Sequence, residues 1–221
     1  MTDSPPAVSL TPPDDTARID EAALISRLCD VMQRGGKETE LGSEGYGGVD
    51  LSGIDVSPRA LAGLKKDGLK RDARLGGIDL AGAYLERADL HKANLRGANL
   101  RSARLKRADL REAELGGADL SDVNAEEANA THVDLAGAIL DRAVLNGANL
   151  IGAICEELHA TRAMLRFTIL DGAALEDATL DESDLWGARL DGADLRNSSL
   201  KGVRLQEASL RGANLYNANL S

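Results

Sequence analysis

The side chains of this chain with most potential for chemistry are its histidines, its cysteines and its recurrent carboxylates. His91, His132 and His159 are the only histidines, and Cys29 and Cys155 are the only cysteines. The cysteine spacing matches neither a disulfide framework nor a zinc site. Serine, cysteine and histidine never cluster as a nucleophile and its base require. No glycine-rich loop follows a strand and opens a helix. The sequence therefore predicts no catalytic, cofactor or metal site.

The carboxylates recur too regularly for a catalytic pair. Asp or Asn most often stands directly before a leucine, as in Ala88-Asp89-Leu90 and Ala93-Asn94-Leu95. One interpretation is a carboxylate site, and the other is hydrogen bonding from the side chain to the backbone of a turn. Because the pattern returns at a fixed interval, we favour the turn.

A five-residue repeat underlies this pattern. Between Leu75 and Leu220, 26 of the 30 positions spaced five residues apart are Leu, and 22 of the 30 positions two residues earlier are Ala. A period of five fits neither an α-helix nor a strand. It fits a coil with four sides of five residues, in which the Leu and the Ala point inward. Backbone groups of successive coils would pair at a strand spacing of roughly 4.8 Å.

The A-(D/N)-L-x-x pattern over residues 71–221 resembles the pentapeptide-repeat family. This resemblance implies an all-β solenoid, a right-handed quadrilateral β-helix. It also implies a protein that binds partners: the mycobacterial MfpA and plasmid Qnr members act on DNA gyrase, whereas HetL is a regulator acting through protein contacts. Leu at the central position, where the MfpA and Qnr proteins favour Phe, is closer to HetL.

The segment before the repeat divides into three parts. Residues 1–16 contain four of the five prolines and are expected to be a disordered tail. Residues 17–36 predict an α-helix that caps the first coil, with a dimer contact or a partner-binding helix as alternatives. Residues 46–70 contain the first irregular repeats and a connecting insertion. The regular β-helix is expected over 71–221.

Departures from the repeat mostly conserve interior volume. Val123 compensates for Ala125, and the pair at 158 and 160 exchanges Leu and Ala in the same way. Ala130 has no larger neighbour, since residue 128 is also Ala. A slight narrowing of the coil or a small cavity is expected there.

Residues twenty positions apart become neighbours in such a coil, which predicts several surface features. Lys92, Lys106 and Arg107 should each meet a glutamate one coil later. His91 and His132 lie two coils apart, roughly 10 Å, which is too far to share a metal. One face should remain acidic, with Arg196 as its only base. Its carboxylates, the predicted partner-binding residues, are Glu114, Asp134, Glu156, Glu157, Glu176, Asp177 and Asp194. The alternative is a face that only keeps the protein soluble.

Apolar side chains are also expected on the surface. The predicted apolar contact patch consists of Phe167, Trp186, Met164 and Val144, within a belt that also contains Ile139, Ile151, Ile154 and Ile169. Tyr216 and Leu220 lie in the last coil, where two chains could stack end to end as a homodimer.

Charge and composition narrow the function. A net charge of −10 disfavours direct binding to nucleic acid or anionic membranes. No apolar run has the length of a membrane span and no signal peptide is recognisable, which predicts a cytoplasmic protein. We expect a non-enzymatic interaction module without cofactors. In its most concrete form it is an acidic DNA mimic that binds DNA gyrase or topoisomerase IV and protects it from inhibitors. The alternative is a regulatory scaffold for another protein.

Overall fold

The computed structural model describes Gly77 and residues 80–221, which form seven stacked coils of twenty residues from residue 81 to residue 220. The coils are numbered 1 (81–100) to 7 (201–220). Within these residues there is no helix and no strand longer than a single bridge residue. None of them lies in a helix with the length and apolar character needed to cross a bilayer. The predicted tail, N-terminal helix and irregular repeats before residue 71 lie outside the described residues.

Parallel β-bridges fix the register of the coils. Every bridge joins residues twenty apart, from Tyr84 with Arg104 to Ser199 with Asn219. The bridge residues fall into four columns, which define face 1 (84–204), face 2 (89–209), face 3 (94–214) and face 4 (99–219). The predicted four-sided coil with twenty residues per turn is confirmed.

A hydrogen-bonded turn makes each corner. In the turn Leu85-Glu86-Arg87-Ala88, the N–H of Ala88 donates to the carbonyl of Leu85 over 3.1 Å, and Arg87 has a φ of 60°. Positive φ at the third residue is the property of a type II turn. It recurs at every fifth residue from Gly77 to Asn217, at 12 glycines and 17 other residues. A turn of constant shape therefore sets the five-residue period.

Backbone hydrogen bonds hold one coil to the next. At the first side, the N–H of Leu85 donates to the carbonyl of Arg104 over 2.7 Å, and the N–H of Arg104 donates to the carbonyl of Ala83 over 2.8 Å. The N–H of Arg87 donates to the carbonyl of Lys106 over 3.0 Å. The same three bonds recur along the solenoid, so that the fold is paired without any extended strand.

Leucine and alanine fill the axis as the sequence predicts. In coils 1–6 the central residues and those two positions earlier are buried. Val123 and Ala125 are 0% and 3% exposed, which confirms that the pair exchanges large and small side chains inside the coil. Three interior positions are polar. The hydroxyls of Thr168 and Ser198 donate to backbone carbonyls, whereas that of Ser183 has no partner within the described residues.

A small apolar cavity lies in the axis beside coil 3. Its volume is about 20 Å³, and Ala125, Ala128 and Ala130 line it together with leucines of coils 2 and 4. The lining contains no polar surface, and a water molecule needs polar partners to occupy such a space. Of the two expectations at Ala130, the structure shows the cavity.

Filling this cavity should stabilise the protein. Leu110 and Leu150 occupy the position of Ala130 in the coils on either side, so that Ala130→Leu restores the repeat. We expect the free energy of unfolding to rise by about 1–2 kcal/mol, from restored apolar burial and the lost void. The measurement is the midpoint of urea unfolding followed by circular dichroism.

Ala188→Leu is the matched control, because Ala188 is fully buried and does not line the cavity. Overpacking at that position should cost about 1–3 kcal/mol. An equal loss of stability in both variants would contradict the assignment of the cavity.

Candidate partner-binding surface

The recurrent Asp and Asn side chains serve the turns. In thirteen turns the Oδ1 atom of the residue before the central residue accepts a hydrogen bond from the N–H two residues later. Asp89 and His91 form one such pair over 3.0 Å. The turn interpretation of these carboxylates is confirmed.

A second turn interaction was missed by sequence reasoning. In five of the turns that lack Asp or Asn before the central residue, an Asp or Asn one coil earlier supplies the acceptor. The N–H of Thr161, for example, donates to Asp141 over 2.9 Å, where His159 occupies the usual acceptor position. The acceptors of this type are Asp141, Asn146, Asp171, Asp181 and Asp191. The sequence feature that could have predicted this interaction is an Asp or Asn directly after the central Leu.

The histidines and Cys155 remain separate. His91 lies 3.7 Å from Glu112, and the His132 ring lies against Gly152. Within the described residues, no group of three or more His, Cys, Asp or Glu side chains could hold a metal ion. Cys155 lies in the core, where burial raises the pKa of its thiol to about 12. A thiol with this pKa is not activated as a nucleophile.

The three predicted ion pairs between coils are present. Lys106 bonds Glu126 over 2.7 Å, and Arg107 bonds Glu127 over 2.7 Å. The third pair joins the side chains of residues 92 and 112 over 3.3 Å. The hydrogen bond from Arg107 lowers the pKa of the Glu127 carboxyl group. These pairs are partly or fully exposed, so that solvent screening leaves each of them a small contribution to stability.

The positive-φ residues of successive coils form four corner rows, in which each side chain lies next to the one twenty residues later. Opposite charges are paired in three of these rows, and the charged pairs are Lys92 with Glu112, Arg107 with Glu127, Asp122 with Arg142, and Arg162 with Glu182. The fourth corner row borders face 3 and contains Glu157 and Asp177. Like charges are adjacent there.

Face 3 with this corner row is the acidic face, and two arginines neutralise part of it. Arg96 bonds Glu114 over 3.0 Å and reaches a second coil to bond Asp134. Arg196 bonds both Glu176 and Asp194 over 2.7 Å. The expectation that Arg196 is the only base is therefore wrong, because the long Arg96 side chain also serves this face.

Three of the seven predicted carboxylates remain unpaired. Glu156, Glu157 and Asp177 form no ion pair within the described residues, and Glu156 and Glu157 are exposed. Ile154 lies on face 3 in the coil of Glu156 and Glu157, and Ile151 lies at the preceding corner, between faces 2 and 3, with 44% and 37% of their surface exposed. The acidic face thus combines free carboxylates with exposed aliphatic side chains.

The apolar contact patch lies at the corner between faces 1 and 2. The rings of Phe167 and Trp186 meet edge to face with 4.7 Å between centroids, and Phe167 is 54% exposed. Gly187 permits this contact, since a Cβ atom there would lie 2.8 Å from the Phe167 ring. Val144 and Met164 are bridge partners on face 1, so that all four predicted residues lie on one side of the solenoid.

Coil 7 also exposes large apolar side chains. Tyr216 is 75% exposed and Leu220 is 53% exposed. The inward leucines of this coil, such as Leu205 and Leu210, are only partly buried. This surface is separate from the acidic face and from the apolar contact patch.

The repeat matches a known family. The model of pentapeptide repeats matches this chain in eight copies, over residues 71–107, 103–142, 131–166, 161–197 and 188–221. The chain belongs to the pentapeptide-repeat family. Proteins of this family form right-handed β-helical solenoids and are typically structural or interaction modules without enzymatic activity.

Several solved pentapeptide-repeat structures are similar to this chain. HetL of Nostoc sp. strain PCC 7120, described as involved in heterocyst differentiation regulation, is 27% identical, with 77% of this chain and 86% of HetL covered and a TM-score of 0.26. Rfr23 of Cyanothece 51142 is 31% identical, with coverages of 47% and 64% and a TM-score of 0.27. Full-length QnrB1, a plasmid-mediated fluoroquinolone resistance protein, is 18% identical, with coverages of 78% and 84% and a TM-score of 0.40. Because these TM-scores are low, family membership rests on the repeats. A search of curated proteins found no match.

Proposed function

We propose that this pentapeptide-repeat protein is a non-enzymatic, cytoplasmic interaction module whose acidic face binds a type II topoisomerase in place of duplex DNA. The candidate partners are DNA gyrase and topoisomerase IV, which the protein would modulate or protect from inhibitors. Neither a cofactor nor direct contact with nucleic acid or membrane is part of this function.

The charge distribution of the acidic face supports the proposal. Seven carboxylates lie on this face against the two guanidinium groups of Arg96 and Arg196. They are repeated from coil to coil at roughly the 4.8 Å spacing of paired β-strands. A row of negative charge along a rod complements a surface that binds DNA phosphates. The three unpaired carboxylates are the observation that carries the proposal.

A DNA supercoiling assay with purified gyrase, with and without a fluoroquinolone, tests this function. We expect the protein to inhibit supercoiling or to relieve the action of the drug. Replacing Glu156, Glu157, Glu176 and Asp177 together by Lys should raise the half-maximal protein concentration by at least about thirtyfold, since opposed charges would meet at the contact.

The matched control places the same four charge reversals on other corners and sides, at Glu112, Glu126, Glu127 and Glu182. Circular dichroism must show that both variants keep the wild-type fold. If the reversals on the acidic face leave the effect on gyrase intact, or if both variants lose it equally, the acidic face is not the binding surface.

A regulatory scaffold that binds a different protein is the second candidate, and the apolar contact patch favours it. Exposed aromatic rings commonly anchor protein interfaces. An absence of any effect of the wild-type protein on gyrase would contradict the topoisomerase proposal. Binding of a purified partner that is lost on Phe167→Ser but retained after the acidic-face reversals would then support the scaffold.

We further propose a homodimer joined through coil 7, with Tyr216 and Leu220 at its centre. Stacking two such surfaces about a twofold axis would bury the partly exposed leucines of coil 7 and pair backbone groups of the two copies. Light scattering should give twice the 23.3 kDa mass of one chain, and Leu220→Asp should restore that single mass. A wild-type protein that is monomeric at high concentration would contradict the dimer.

A further inference from the structure

We propose that Ile151 and Ile154, together with the unpaired carboxylates of Glu156, Glu157 and Asp177, form a docking site for a basic segment of a partner protein that also carries aliphatic side chains. The inference rests on the proposed role of the acidic face in binding a protein. It adds that the recognised segment is cationic and amphipathic, and that recognition is not by negative charge alone.

The apolar part of this site stands out from its surroundings. Ile154 is the bridge residue of face 3 in coil 4, between Asp134 and Ala174. Ala174 in the next coil is small, and Asp134 in the preceding coil is bonded to Arg96. The exposed Ile154 side chain therefore has no larger aliphatic neighbour on its own face in the adjacent coils. An exposed aliphatic pair of this kind gains stability when a partner removes it from water.

Two turns at this site also lack the hydrogen bond from a backbone N–H to an Asp or Asn side chain that many other turns contain. Asp134 and Asp194 accept the N–H two residues later on the same face. Ile154 and Ala174 replace that acceptor in the two coils between them. The N–H groups of Glu156 and Glu176 consequently have no acceptor within the described residues. Other turns also lack this bond, but here two successive coils of one face lose it beside the unpaired carboxylates.

The carboxylates at the site are only partly compensated, since Arg196 bonds Glu176 and its charge also acts on Asp177. Glu157 and Asp177 are neighbours in their corner row, and Gly137 and Asn197 lie on either side of them, so that no cation of this row is in reach. Arginines are neighbours in two other corner rows, Arg87 with Arg107 and Arg142 with Arg162. Arg107, Arg142 and Arg162 each bond a carboxylate on their other side. Adjacent carboxylates repel one another. A positive charge supplied from outside would relieve this repulsion.

These features define the chemistry of the occupant. Aliphatic side chains of a partner would pack on Ile151 and Ile154, while its Lys or Arg side chains would bond the adjacent carboxylates. The acidic side chains exclude phosphate and anionic lipid as occupants. A segment that presents both kinds of side chain along one edge, such as a basic amphipathic helix, satisfies both requirements.

A binding assay with model peptides tests the site on the full-length chain. The probe is a fluorescein-labelled synthetic peptide with Lys and Leu at helical spacing, and the control peptide carries Ser in place of each Leu. Fluorescence anisotropy gives the dissociation constants. The Lys and Leu peptide should bind at least about tenfold more tightly than the control, because only it reaches the aliphatic pair.

Two variants distinguish this site from general attraction between opposite charges. Ile154→Asn restores the usual turn acceptor without changing charge, so it should weaken peptide binding about tenfold while the unfolding midpoint stays equal or rises. Glu157→Gln with Asp177→Asn should weaken binding to a similar extent. The control, Glu112→Gln with Glu182→Gln, removes the same charge from two ion pairs and should change binding by less than about twofold.

Three results would overturn the inference. They are an absence of binding to the wild-type chain, equal losses from the two charge-removing double variants, and unchanged binding by Ile154→Asn. The peptide assay contains no topoisomerase. Failure here therefore leaves the gyrase result standing, and failure of the gyrase assay does not affect the peptide result.

Discussion

The left-handed corner residue is the constraint on which this solenoid depends. A φ between 54° and 72° recurs at every fifth residue from Gly77 to Asn217, and it closes each turn after the same number of residues. Seventeen of these residues are not glycine, although the left-handed region costs an ordinary L-residue roughly 1–2 kcal/mol. The three hydrogen bonds that each side forms with the next coil offset this cost. Constant corners make residues twenty apart neighbours, and every surface feature of the protein follows from that register.

Much of this structure could be predicted because one short pattern is repeated. The inward Leu and Ala, the exchange at Val123 and Ala125, and the pairing of Arg107 with Glu127 all follow from the period alone. What the period does not specify is the reach of long side chains. Arg96 spans two coils to Asp134, and Asp141 caps a turn one coil later. Such contacts depend on side-chain conformation, so that the extent of neutralisation of the acidic face could not be predicted.

The same regularity makes the exceptions informative. The axis of the described coils is packed, and its apolar cavity beside coil 3 is small and lined by leucine, alanine and valine. The proposed partner recognition therefore uses outward side chains at positions that the backbone leaves free. In one corner row, Glu157 and Asp177 stand where other rows have a pair of opposite charges. On face 3, Ile154 and Ala174 stand where other coils have a turn acceptor. These residues weaken the solenoid locally, and departures of this kind are expected where a sequence is selected for function.

The proximity of Glu157 and Asp177 is the feature on which the proposed site most directly depends, and disulfide formation measures it. With Glu157→Cys and Asp177→Cys in a Cys29→Ser chain, the Cα atoms should lie roughly 4.8 Å apart, within the range of about 4.4–6.8 Å that a disulfide requires. Cys155 stays in place because its thiol is buried. Mass spectrometry after mild oxidation should show this crosslink and none between Glu157→Cys and Asn197→Cys, two coils away. Equal crosslinking of both pairs, or none at 157 and 177, would contradict the account.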